Sequence, residues 1–249
     1  MNELLRAHLP PDTPFRYLPE TTSTNQVAKL WAREGAPHGV CVIAARQTAG
    51  RGRLGRAFFS PQGGLYMSVI LHTQADAGLL TTLAAVAVRR AVQRVTGQKL
   101  SIKWVNDLLL DGRKVCGILT EGVLDGARRI AVAGIGVNVY ADAFPDEIQD
   151  KAGALFAAPP PDGTAAQLAG AIVEELLSGL PHIPAHLSEY RAHCWTLGQR
   201  VRFMAGQQEG TGMARSITDT GALVVHTDTG PVLLNTGEAQ VRGLDGGYW

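Results

Sequence analysis

Apolar residues along this chain recur in two rhythms, short continuous runs and longer stretches of helical period, and their order limits the fold. Pro10, Pro11, Pro14 and Pro19 punctuate the head, so it reads as extended, with a strand starting near Phe15 to Leu18. Ser23 or Thr24 is placed to cap a helix through Gln26, Val27, Leu30 and Trp31, which Gly35 and Pro37 end. Residues 40–45 and 65–71 read as buried strands, and residues 78–95 as a long helix closed by Gly97. Residues 100–104, 114–121 and 128–137 then read as three strands. Their short connections contain Asp111-Gly112 and Asp125-Gly126, dipeptides suited to hairpin turns. Strands joined by hairpins are antiparallel neighbours, because parallel strands need a long crossover. This meander disfavours a doubly wound nucleotide-binding fold.

Past Pro159-Pro160-Pro161, Thr164 is placed to cap a helix reaching Leu177, and a shorter helix covers residues 186–193. From Gly198 the texture changes to short strands at 200–204, 211–217, 222–226, 232–234 and 240–244, several divided by glycine turns. They predict a small β-barrel of about fifty residues, too small to be independent without packing on its neighbour. The expected class is α+β. A mixed sheet with flanking helices fills a catalytic domain over 1–196, and a barrel domain follows over 197–249.

Composition narrows the function classes. Hydrophobic residues make up 45% of the 249 and charged residues 18%, which allows a substantial core and excludes wholesale disorder. A net charge of +1 gives no overall signature for nucleic acid or an anionic membrane, so anion chemistry must come from local clusters. Cys41, Cys116 and Cys194 are odd in number and widely spaced, fitting neither a disulfide framework nor a metal site. They read as small buried hydrophobes in a reducing compartment. The start has no apolar run of signal-peptide length, and no segment approaches the ~18 apolar residues of a membrane span. The expectation is a cytoplasmic protein with neither a membrane nor a nucleic-acid partner.

One such cluster is Gly50-Arg51-Gly52-Arg53-Leu54-Gly55-Arg56. It contains G-x-G-x-x-G, a weak pattern shared with dinucleotide-binding turns, but residues 57–64 do not read as the helix such a turn requires. What remains is a loop with four arginines, counting Arg46, and no Asp or Glu stands between Gly35 and Ala75. Glycines let a backbone approach a ligand closely, and guanidinium forks match phosphate oxygens, so the loop is assigned to a polyanion rather than to plain solvated surface.

Further along stand Lys103-Trp104-Val105-Asn106-Asp107, then Lys114-Val115-Cys116-Gly117-Ile118-Leu119 with Glu121, then Gly134-Ile135-Gly136-Val137-Asn138. Taken singly these residues are ordinary: a lysine beside a turn is usually exposed and a tryptophan is usually core. The ordered set GRGRxGR, KWxND, KxxGIL(x)E and GxGxN closely resembles the biotin–protein ligase family, over nearly the whole chain from Thr22 to Arg242. The resemblance implies a catalytic domain related to class II aminoacyl-tRNA synthetases and lipoate ligases, followed by an SH3-like barrel. It also implies the monofunctional form, since about twenty residues precede Ser23, too few for the DNA-binding domain of bifunctional members.

Site residues follow from the same resemblance. Ser23, Thr24, Asn25 and Gln47 match the positions that line the biotin site. Arg51, Gly52 and Arg53 match those enclosing biotinyl-adenylate, and Arg56 belongs to the same motif on the nucleotide side. Lys114 matches the lysine near the activated carboxyl and, with Arg51, is assigned to catalysis. Gly117, Gly134 and Gly136 supply close backbone approach beside biotin. Asn106, Asn138 and Arg242 match nucleotide positions, with Glu238 in the motif of Arg242, and Asp107 matches a Mg²⁺ position. Phe58 stands where the bacterial pattern has a tryptophan on adenine, Leu54 interrupts a pair of arginines, and Val105 replaces a proline. The implied substrates are ATP and biotin, and the implied partner is a biotin carboxyl carrier domain. The oligomeric state stays open, with a homodimer through an edge strand as one arrangement. The rival enzyme is a lipoate–protein ligase; the rival of another class is a nucleic-acid-binding protein, against which the near-neutral charge and 6% aromatic content argue.

Overall fold

A seven-stranded mixed sheet organises the larger part of the chain. The computed structural model describes residues 1–125, 128–205, 208–235 and 239–243. The strand order is β1 (Phe15–Leu18), β2 (Cys41–Ala44), β3 (Leu65–His72), β7 (Arg128–Val137), β6 (Arg113–Asp125), β5 (Asp107–Leu110) and β4 (Ser101–Lys103). Only β1 and β2 run parallel; every other pair is antiparallel. Alternate residues of a strand face opposite sides. Cys41, Ile43, Met67, Val69, Ala133 and Ile135 therefore pack under α3 (Ala77–Thr96) and α4 (Thr164–Gly179). Val40, Val42, Ile70, Ile130 and Val132 face α2 (Thr24–Arg33), where Ala28 and Ala32 meet them.

Several boundaries differ from the sequence reading. The head begins with a helix, α1 (Asn2–His8), whose Leu5, followed by Leu9 one turn on, enters the core; the prolines end this helix rather than extending the whole segment. A fourth meander strand, β5, lies between β4 and β6. The Asp111-Gly112 turn joins β5 to β6, with positive φ at both residues (50° and 78°), as a primed hairpin turn requires. Ser23 is the N-cap residue of α2 yet makes no side-chain capping bond. Thr164 is the first residue of α4 after Gly163, and its hydroxyl bonds Pro161 O. A short helix, α5 (Leu187–Ala192), follows the cis Ile183–Pro184 bond.

The C-terminal strands form one antiparallel sheet, ordered β11 (Gly230–Leu234), β10 (Leu223–Thr227), β9 (Gln208–Ile217), β8 (Arg200–Ala205) and β12 (Ala239–Gly243). The expected barrel is not closed: among the described residues β11 and β12 are its two edges and do not pair. Closure is unnecessary because the apolar face, with Val201, Phe203, Leu223 and Val225, buries itself in the same core as the large sheet. Trp104 Nε1 donates to Gly221 O at 3.0 Å, and Arg191 bonds Ile217 O and Asp219, tying the two sheets together. Gly126, Glu238 and Leu244, each named in the sequence reading, lie outside the described residues, as does the Gly-Gly-Tyr-Trp end.

Where α5 meets α3, His186 is 8% exposed and bonds Thr82 Oγ1 at 2.8 Å through Nε2. The Thr82 hydroxyl donates to Leu79 O, so Nε2 carries the imidazole proton, and buried Nδ1 has no hydrogen-bond partner. Burial, reinforced by Arg90, pushes this histidine down to about 4 from 6.5. The unfolded chain binds the extra proton first, so stability from neutral His186 is complete above 6.5 and drains away as pH falls toward 4. The shift corresponds to about 3 kcal/mol. Urea unfolding between pH 7 and 4.5 is expected to show a slope that flattens in His186→Gln; an unchanged slope refutes the assignment.

Candidate active site

The sheet face that carries α2 changes character along its strands. On β7 the α2-facing positions run Ile130, Val132, Gly134, Gly136, so apolar side chains give way to bare backbone. Gly117 on β6 pairs with Gly136, and Leu119 pairs with Gly134. On β3 the residues opposite are Tyr66 and Ser68. A cavity of about 270 Å³ stands over this glycine floor, walled by the start of α2, the 50–60 loop, the β4–β5 turn and the irregular segment after β7.

One end of the cavity is polar and uncharged, with Ser23, Thr24, Asn25 and Gln47 along it. The Thr24 amide donates to Gln47 Oε1 at 2.8 Å, and Gln47 Nε2 donates to Ser60 Oγ at 3.0 Å. Space here is tight. A Cβ at Gly134 would lie 2.0 Å from Asn25 Oδ1, and one at Gly50 would lie 2.4 Å from Phe58 O.

The other end is cationic. Among the described residues, Arg51, Arg53, Arg56, Lys103, Lys114, Lys151 and Arg242 line the cavity with one carboxylate, Asp107. The loop folds on itself as a small hairpin: Arg51 bridges Ala57, Gly52 N–H bonds Arg56 O at 2.7 Å, and Leu54 sits at its tip with φ 56°. Leu54 therefore does more than interrupt arginines; it occupies the left-handed turn residue and is 52% exposed. Lys114 Nζ pairs with Asp107 Oδ1 at 2.5 Å and lies 5.5 Å from the centre of the Phe58 ring. Burial pushes the Lys103 ammonium down to about 8, opposed by Asp107 and reinforced by Lys114, Arg242 and Arg56. Burial likewise lowers Arg53, against the pull of Asp107. Crowded cations of lowered basicity are the signature of a site that gains from receiving an anion.

All the residues assigned from sequence line this one cavity. Their distribution within it refines two assignments. Phe58, placed with adenine by the resemblance, has its ring against Gly136 and Gly117, among the residues placed with biotin. Asn138 donates through Nδ2 to Gly153 O at 2.9 Å, so its amide also pins the segment after β7. Asn106 is held in the β4–β5 turn by Nδ2 bonding Ile118 O at 2.9 Å, with Arg53 3.4 Å from its Oδ1. The Trp104–Val105 peptide bond, where the family pattern has a proline, is cis. Arg242 reaches the cavity from β12 beside Val241.

Sequence reasoning missed a wall made of Phe59, Phe144 and Ile148, with the two phenylalanine rings edge to face at 6.3 Å. Phe144 and Ile148 stand in a segment without regular secondary structure, so no periodicity marks them. Lys103 was readable as part of a motif but received no role.

Residues 17–138 match the model of the Biotin/lipoate A/B protein ligase family, and residues 196–242 that of the Biotin protein ligase C terminal domain. A bifunctional ligase/repressor of Bacillus spizizenii is 37% identical over 228 residues, 84% of this chain and 68% of that protein. A biotin–[acetyl-CoA-carboxylase] ligase of Paracoccus denitrificans is 34% identical over 91% of this chain and 100% of its own length. Among solved structures, the biotin protein ligase of Aquifex aeolicus in complex with biotin and ATP superposes with a TM-score of 0.79 at 28% identity, covering 92% of this chain and 99% of that one. With a cavity of matching chemistry and relatives spanning nearly its full length, the chain belongs to the biotin–protein ligase family.

Proposed function

We propose that this protein activates biotin with ATP to biotinyl-5′-AMP and transfers the biotinyl group to a lysine of a biotin carboxyl carrier domain. The observation that carries the reading is the two-ended cavity, with short neutral polar groups at one end and seven cations at the other. Biotin's ureido ring offers two N–H donors and a carbonyl, which suits Ser23, Thr24, Asn25 and Gln47. Its carboxylate then points toward Lys114 and the arginine loop, where a triphosphate would lie.

In the first step a carboxylate oxygen attacks the α-phosphorus, forming the mixed anhydride as the bond to the β-phosphate oxygen breaks and pyrophosphate leaves. Two anions must approach each other, so the barrier is lowered by cations already in place rather than by a general base. Arg51, Arg53 and Lys114 supply that field here. In the second step an acceptor amine attacks the anhydride carbonyl; an amide forms, AMP leaves and the amine loses a proton. Phe58, lying across Gly117 and Gly136, helps to exclude water from that junction.

A Mg²⁺ ion fits the donor set. No group of three or more His, Cys, Asp or Glu side chains converges among the described residues, and Asp107 is the one carboxylate at the cavity. Mg²⁺ commonly takes one or two carboxylates and completes its shell with phosphate oxygens and water. Asp107 would hold it, and the ion would add positive charge at the phosphates. The division into a catalytic domain over 1–196 and a C-terminal domain over 197–249 is part of this reading, supported by two sheets that share no strand pairing among the described residues. A cytoplasmic setting is supported by three buried free thiols, Cys41, Cys116 and Cys194.

Exchange of labelled pyrophosphate into ATP is expected to depend on biotin and not on lipoate; exchange with lipoate alone moves the protein to the sister activity. Lys114→Met is expected to slow adenylation by roughly a hundredfold or more while leaving biotin affinity nearly intact, because the charge acts on the developing transition state. Equal loss in both quantities would make Lys114 a binding group only. Gly134→Ala, whose Cβ collides with Asn25, is expected to raise the Michaelis constant for biotin about tenfold or more with little change for ATP.

A further inference from the structure

Glu121 closes the KxxGIL(x)E motif and has no role in the mechanism above. It does not line the cavity; it stands behind it, as do Lys29 and Ser68. Its Oε1 binds the Lys29 ammonium at 2.7 Å, and its Oε2 accepts from Asn25 Nδ2 at 2.8 Å. The other Nδ2 proton goes to Leu119 O at 3.1 Å. A carboxylate and a backbone carbonyl can only accept, so the Asn25 amide has one possible orientation. Its oxygen faces Ser68, which is fully buried and whose hydroxyl donates to Asn25 Oδ1 at 2.6 Å. Thr24 donates its hydroxyl proton to Gln47 Oε1 at 3.2 Å, and its oxygen faces the Ser68 hydroxyl at 2.8 Å as an acceptor.

That proton count fixes the polarity the cavity presents. Asn25 has no donor left and offers a lone pair on Oδ1. Thr24 likewise has spent its proton and keeps lone pairs. Gln47 has one Nε2 proton on Ser60 and one remaining. Two acceptors and a donor are the complement of a cyclic urea. The charge on Glu121 is secure at neutral pH: burial works against it, but hydrogen bonds from Lys29 and Asn25, with Arg51 near, hold its carboxyl below the usual carboxylate range.

We propose that Glu121, its counter-ion Lys29 and Ser68 are positioning residues of the ureido end, locking the Asn25 amide so that the site selects a ligand donating N–H there. The proposal rests on the biotin-ligase reading. The chain of bonds continues from Gln47 through Ser60 to Phe58 O at 2.9 Å, so the same lock reaches the arginine loop. An Asn25 free to turn would present a donor to a donor for part of the time, and a buried unpaired N–H is costly.

Calorimetric biotin affinity, together with the Michaelis constants for biotin and ATP in pyrophosphate exchange, tests this on Ser68→Ala, Glu121→Leu, Glu121→Gln and Lys29→Met. Ser68→Ala and Glu121→Leu are expected to weaken biotin about tenfold, with kcat and the ATP constant within about twofold. Glu121→Gln keeps an acceptor and is expected to recover most of the loss. Preference for biotin over an analogue methylated on a ureido nitrogen narrows in the two weak variants. Glu174→Gln, which removes a surface partner of Arg94, serves as the unaffected control. Folded variants with wild-type biotin affinity, or with ATP binding and kcat falling in step, overturn the proposal. Failure of the wild type to bind biotin instead removes the functional reading beneath it.

Discussion

Everything at this site is hung from a patch of sheet that has no side chains. Gly117 and Gly136 face each other across β6 and β7, and Gly134 lies one step along the same face. Long antiparallel ladders hold this backbone from both sides, while Asn25, Phe58 and Lys114 lie over it. The clearances show that the glycines are required. Cβ atoms there would come within 2.0 Å of Asn25 and 2.6 Å of the Phe58 ring. The same strand that buries Ile130 and Val132 under α2 thus turns into a binding surface two residues later. A helix terminus and an arginine loop only need to close the sides.

Charge is arranged around that floor with equal economy. The chain as a whole is almost neutral at +1, yet among the described residues seven cations and one carboxylate meet at the cavity. The compensating arrangement lies elsewhere, where Arg89, Arg90 and Arg94 on α3 are matched by Glu174, Glu175 and Glu189. The exposed pair of Arg94 with Glu174 contributes little to stability, whereas Arg89 is buried on Glu189. Net charge alone therefore could not reveal this cationic cluster; the acid-free interval from Gly35 to Ala75 pointed to it.

Legibility followed the same physics. The arginine loop, Lys114, Asp107 and the floor glycines stand in compact motifs, so the residues that line the cavity were legible in the sequence. Strand β5 was not, because Leu108-Leu109-Leu110 is too short to show a period and directly follows a turn. The SH3-like C-terminal unit was legible in its strands, but the open sheet they form among the described residues was not: five strands can shed their apolar face onto a neighbour as well as onto each other, and local pattern cannot tell which. Phe59 and Phe144 come together from loops 85 positions apart, which no spacing rule anticipates. Ser68 left a faint trace as the one hydroxyl flanked by apolar residues in Met67-Ser68-Val69, but its partners are distant in sequence.

The two ends of the cavity are joined at Lys114. Its chain lies over Gly117, its ammonium pairs with Asp107, and the Phe58 ring is beside it. Phe58 in turn receives the Ser60 hydrogen bond that begins at Gln47. One continuous set of contacts therefore runs from the neutral pocket to the cationic one. Pairing with Asp107 holds a long flexible cation in one place beside the glycine floor. It also keeps the buried carboxylate paired. The neutral end and the charged end are thus parts of one connected arrangement rather than two separate pockets.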